Sequence, residues 1–126
     1  MSTFTALQLE DLQNNLRCGL VHDAKIETLR YDRECKKLMI VAFNSAFNTK
    51  IKLICKDVKF LQFINTGEFS NSETILSLTV EKDYLQLLEG VFKCKDCFKN
   101  SLCLLIQMFS GDEIHIVSEE VCLEYD

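Results

Sequence analysis

Cys94-Lys95-Asp96-Cys97, followed closely by Cys103, is the one short stretch whose spacing matches a known chemical device. Two thiolates separated by two residues can chelate zinc, but a closed site needs four ligands. No second Cys-x-x-Cys exists, and His22 and His115 are the only histidines. A metal or thiol function would therefore draw on Cys94, Cys97, Cys103 and one imidazole. A redox pair belongs at a helix N-terminus within a strand–helix–strand unit, where thiolate is stabilised. Neither surrounds this pair, so the simpler expectation is two ordinary cysteines at a loop-to-strand junction.

His22-Asp23 has the composition of an acid–base pair. Adjacent residues on a strand face opposite ways, so a capping role between helix and strand is the plainer reading. His115 alternates with Ile114 and Ile116, which places it on the opposite, solvated face of a strand. There is no G-x-S-x-G elbow, and the 4 glycines form neither a phosphate loop nor a dinucleotide fingerprint. Two charge features remain. Lys50, Lys52 and Lys56, with Lys36 and Lys37, suggest a basic stripe, while Glu113, Glu119, Glu120, Glu124 and Asp126 crowd the C-terminal region. Charges on an exposed sheet face ordinarily serve solubility and blunt edge pairing, and less often dock a partner.

The elements that would position these residues are mostly strands. Thr5-Ala6-Leu7-Gln8 has capping-box spacing, Phe4 and Leu9 form the matching staple, and Leu9, Leu12 and Leu16 share a face. A helix over residues 6–18 ending near Gly19 follows. Residues 25–31 and 37–43 read as a hairpin around the turn Asp32-Arg33-Glu34-Cys35. Residues 49–55 alternate as a half-buried strand, and residues 58–64 resume it after a bulge or tight turn at Lys56-Asp57. A loop follows whose one large residue is Phe69, then a strand over residues 74–80 and a short helix over residues 84–89. Residues 93–100 read as loop. Residues 101–109 read as a strand covered on both faces, with a turn at Ser110-Gly111-Asp112. Residues 113–117 complete that hairpin, and residues 120–125 form a last strand with one wet face. The fold class expected is α+β, mostly β: one N-terminal helix packed on a curved or two-layered antiparallel sheet of about seven strands.

At 126 residues the chain is the size of one domain, residues 1–126, and 48% apolar against 26% charged residues predicts a packed core. The longest apolar run is too short to span a bilayer and the first residues lack a leader's pattern, which predicts a cytoplasmic protein with no membrane association. Seven cysteines at irregular spacing predict no disulfide framework, only buried thiols. A net charge of −5 gives no basis for general nucleic-acid binding. The absence of proline excludes any cis-proline device.

His22-Asp23-Ala24-Lys25-Ile26, the Asp57-Val58 strand start and the ending Gly111-Asp112-Glu113-Ile114-His115-Ile116-Val117-Ser118-Glu119-Glu120-Val121 together resemble small bacterial domains of uncharacterised function, similar to the all-β immunity proteins of polymorphic toxin systems. The likeness covers mainly residues 21–64 and 101–126. It implies a non-enzymatic protein that masks a toxin, with no cofactor and no catalytic residue to carry over. For a basic toxin, the partner-binding candidates are Asp112, Glu113, Glu119, Glu120 and Glu124, which would steer association by long-range attraction. Two alternatives stand beside it: a thiol or metal protein using Cys94 and Cys97, and a small-molecule site under the Phe69 loop near Tyr84 and His115. A homodimer would form by pairing of residues 120–125 as an edge strand.

Overall fold

A computed structural model describes residues 2–16, 19–65, 74–81, 83–94 and 97–126. The Phe69 loop, and with it the expected roof of a small-molecule pocket, lies outside these residues. In chain order the elements are β1 (Ser2–Phe4), a 3-10 turn (Ala6–Gln8), α1 (Leu9–Leu16), β2 (Lys25–Asp32), β3 (Lys37–Asn44), β4 (Thr49–Ile64), β5 (Ile75–Val80), α2 (Asp83–Phe92), β6 (Leu102–Met108) and β7 (Glu113–Tyr125). The strands form one antiparallel 7-stranded sheet in the order β2-β3-β4-β7-β6-β5, with β1 added against β7. No helix among the described residues is long and apolar enough to cross a membrane.

The capping box at Thr5 forms as its spacing demands, with the Thr5 N–H donating to Gln8 Oε1 at 2.9 Å. It opens a 3-10 turn, α-helix proper starts at Leu9 and is described to Leu16, and residues 17–18 of the expected 6–18 span lie outside the described residues. Leu12 and Leu16 enter the main core beside Leu78 and Val80, so α1 packs across β5. The sheet curls until β2 and β5 touch at a single bridge, Lys25 to Thr74, where the Ile75 N–H donates to the Ala24 carbonyl at 2.8 Å. The Asp23 N–H also donates to the Ile75 carbonyl at 2.9 Å; beyond this junction no pairing of β2 with β5 occurs among the described residues, and the sheet is not closed.

Residues 113–117 and 120–125, expected as two strands, are one, and β7 is the middle of the sheet. It pairs with β4 along its length, with β6 over its first half and with β1 at residues 121–123. Residues 121–123 are therefore paired on both sides and are no edge, which takes away the central backbone of the strand from which a dimer was expected. Cys122 is 2% exposed, so the wet face expected there is only partly wet. Residues 49–64 are likewise one strand. Asp57 takes a left-handed φ of 53°, the pairing with β7 shifts between Val58 and Phe60, and Cys55 and Val58 both point inward though three residues apart. This is the bulge the Lys56-Asp57 interruption announced.

Asn44, at the end of β3, holds the crossover from α1 to β2. Its buried amide donates to the carbonyls of Leu20 at 2.9 Å and His22 at 3.1 Å and accepts the Ala46 N–H at 3.0 Å. One side chain thus satisfies three backbone groups that would otherwise be stranded inside.

Candidate functional site

The sheet's two faces are treated unequally. Its inner face carries the main core. On the outer face a second cluster, Leu88 and Phe98 with Cys103 and Val117, lies where α2 and the following turn cover β6 and the first half of β7. The 84–89 segment is thus helix, as expected, and runs to Phe92.

His115 is under that cover. It is 9% exposed, not solvated, because α2 lies across its strand: the Tyr84 ring sits 4.7 Å from the imidazole. Among the described residues neither ring nitrogen has a hydrogen-bond partner, and Nε2 is 3.8 Å from Glu113 Oε1. Cys103 shares this face, so cysteine, histidine and glutamate stand in one neighbourhood. As arranged they make no nucleophile, since burial pushes the Cys103 thiol up to about 12 and no bond joins it to His115. A buried imidazole with no partner is a net burden on folding. Replacing His115 with leucine should raise stability by about 1 kcal/mol. Thermal melts of the two proteins check this, and a marked fall in the variant would mean that the ring holds a bound group.

Cys94 and Cys97 are joined in a disulfide, with Cα atoms 5.6 Å apart, which corrects the expectation of two unlinked thiols. The pair follows the C-terminal end of α2, where the helix dipole opposes a thiolate, so its placement favours a staple over a redox nucleophile. No group of three potential metal ligands occurs among the described residues. Of the other described cysteines only Cys35 is exposed; Cys55, Cys103 and Cys122 are buried filler, as expected. Burial also pushes Cys55 up to about 12. A value above the unfolded one means that the stabilisation is complete below about pH 8.5 and is lost as pH climbs toward 12. Above pH 9 the Cys55 thiol alone removes up to about 1.4 kcal/mol per pH unit, and Cys103 acts in the same direction. Urea midpoints at pH 8 and pH 10 should show this fall, and a smaller one in Cys55→Ala. An identical fall in the variant contradicts it.

His22 and Asp23 do face each other, Nε2 to Oδ1 at 3.5 Å, because Asp23 adopts a positive φ of 70° in a turn before β2. His22 Nδ1 donates to the Leu76 carbonyl at 2.7 Å, so the imidazole ties this turn to β5. The pair thus links the turn to β5, where a cap between the helix and the first strand was expected.

The other half of the outer face is bare. Leu38, Ile40 and Ala42 point into the core, so Met39, Val41 and Phe43 point out; on β4 the outward residues are Lys50, Lys52 and Ile54. Val41 and Ile54 are only 9% and 8% exposed yet belong to neither core cluster. Their neighbours on the sheet surface shield them, including lysine stems that lie along apolar surface. No described element covers them. A shallow cavity of about 170 Å³ runs over Met39 and Val41 between Lys50, Lys52, Glu124 and Asp126, and a second of about 580 Å³ continues from Met39 to Arg30 and Lys37 on the β2–β3 hairpin.

The two charge features of the sequence turn out to be one ladder, because β4 lies beside β7. Lys52 is opposite Glu124 and Lys56 opposite Glu120, with Lys56 Nζ 3.6 Å from Glu120 Oε2. Lys59 Nζ lies 3.1 Å from Glu119 Oε1. The five acidic candidates are not brought together: Glu113 and Glu124 stand about 36 Å apart along β7. Asp112 is in the β6–β7 turn, its N–H donating to Ser110 Oγ at 3.3 Å, and Glu113 faces His115. Only Glu120 and Glu124 border the bare face, where Cys122 lies between them. Sequence reading passed over Met39, Val41 and Ile54. The available signal was the unbroken apolar run from Leu38 to Phe43, which asks for cover on both faces.

No family model matches this chain, and neither does any curated protein. Its function is argued from its own residues.

Proposed function

We propose that this protein acts by binding another protein over the outer face of β3 and β4, without catalysis, in the manner of the toxin-masking immunity proteins it resembles. The observation that supports this is the half-covered sheet: the chain folds α2 over one half of its outer face, while no described element lies over Met39, Val41 and Ile54 on the other, where Val41 and Ile54 are shielded only by their sheet neighbours and bordered by charges. An apolar centre within a polar rim is the usual anatomy of a docking surface. The partner presents an apolar knob to Met39, Val41 and Ile54, acidic groups to the Arg30, Lys37 and Lys50 side, and basic groups to Glu120 and Glu124. This divides the acidic candidates: Glu120 and Glu124 touch the partner, Glu119 stands at its margin, and Asp112 and Glu113 lie beyond it. The experiment is co-expression with the products of the genes that flank this chain's own, followed by size-exclusion chromatography. A 1:1 complex lost in Val41→Glu supports the reading; no complex, or one indifferent to that change, ends it.

A further inference from the structure

We infer that the cavity at the tip of the β2–β3 hairpin is the pocket for a short acidic segment of the partner protein, an inference that rests on the protein-binding reading. Charge is strongly segregated in this chain. Residues 25–59 contain nine Lys and Arg against four Asp and Glu, leaving five against fifteen in the remainder. Within the basic part, no carboxylate of the described residues forms an ion pair with Arg30, Arg33, Lys36 or Lys37, whereas Lys56 and Lys59 are already engaged with Glu120 and Glu119.

Arg30, Arg33 and Lys37 line the cavity of about 580 Å³ together with Tyr31 and Met39. Its lining also holds two acids, Asp32, whose carboxylate accepts the N–H groups of Glu34 at 3.0 Å and Cys35 at 3.2 Å and so faces the turn, and Glu34, which leaves three cations against two carboxylates. The tip is also braced: Lys36 takes a φ of 53° and its carbonyl accepts the Val58 N–H at 2.8 Å, which ties the hairpin to the β4 bulge. Cations on a braced turn lose little freedom when an anion arrives. Guanidinium forks match carboxylates in two-point geometry, and Tyr31 and Met39 offer apolar surface to the residues between them.

The size of the basic region selects the anion. Attraction between exposed charges fades within about 8 Å at physiological salt, so a few carboxylates on the tip are favoured by the local cations. A nucleic acid would run on past the hairpin to the acidic remainder of the protein, where its phosphates are repelled. The partner of the hairpin is thus a short acidic stretch of polypeptide.

The test uses the intact protein and fluorescein-labelled ten-residue peptides, one alternating glutamate with leucine and one alternating lysine with leucine, beside a ten-nucleotide oligothymidine and inorganic phosphate. Anisotropy, with NMR shifts or competition for phosphate, reads the binding. The glutamate peptide should bind at least tenfold tighter than the lysine peptide or the oligonucleotide, weaken with salt, and lose at least tenfold in Arg30→Glu/Lys37→Glu. Equal binding of both peptides, tighter binding of phosphate or the oligonucleotide, or indifference to the double charge reversal overturns the inference. Were the complex with the neighbouring protein to survive that reversal while failing in Val41→Glu, the acidic-segment inference would fall and the docking face would stand.

Discussion

Ile116→Ala lowers the stability of the domain by about 2 to 5 kcal/mol, read as a shift of the urea midpoint with an unchanged slope. Ile116 is fully buried in the first half of β7, where its register partners are Leu104 on β6 and Leu61 on β4. Its removal opens a void flanked on both sides by strands that carry the whole sheet and cannot close over it. The same change at Leu76, 41% exposed on β5, should cost less than about 1 kcal/mol. Equal effects at the two sites would show that β7 is not the centre of the sheet.

On the proposed protein-binding function, Val41→Glu weakens the complex by about 30- to 1,000-fold, equivalent to about 2 to 4 kcal/mol, the range of a buried interface anchor. The change places a carboxylate in the apolar strip that the partner must desolvate. Val41 is only 9% exposed in the free protein, so the new carboxylate is partly desolvated and should cost about 1 to 3 kcal/mol of stability, which a urea melt of the variant measures separately from its affinity. Leu87→Glu is the control: Leu87 is 62% exposed on the outer side of α2, over the other half of the sheet. Retained affinity in the control and loss in Val41→Glu, measured by calorimetry, locate the docking face. The opposite pattern moves it to the helix.

Local features were legible because neighbours in the chain decide them. The capping box at Thr5 and Gln8, the hairpin turn at Asp32 and the positive φ of Gly111 at 93° all follow from residues within a few positions of one another. The bulge at Asp57 was legible as a break in alternation. What depends on pairing was not. Nothing local to residues 113–125 says that β4 will lie on one side of them and β6 and β1 on the other, so β7 read as two strands with an edge at its end. The lysine and glutamate stripes looked like separate surfaces for the same reason, and became a ladder once Lys56 stood opposite Glu120. His115 was misplaced because alternation names its face but not the helix above it. The candidate site suffered most, since the bare strip is defined by the cover that the chain does not provide.

Methyl-resolved NMR of the isotope-labelled protein, titrated with an unlabelled protein that co-elutes with it in the co-expression experiment, tests the proposed docking face most directly. The signals of Met39, Val41 and Ile54 should move while those of Leu87 and Val91 on α2 stay in place. Movement confined to α2, or no movement on β3 and β4, contradicts the assignment of this protein's function to its uncovered sheet face.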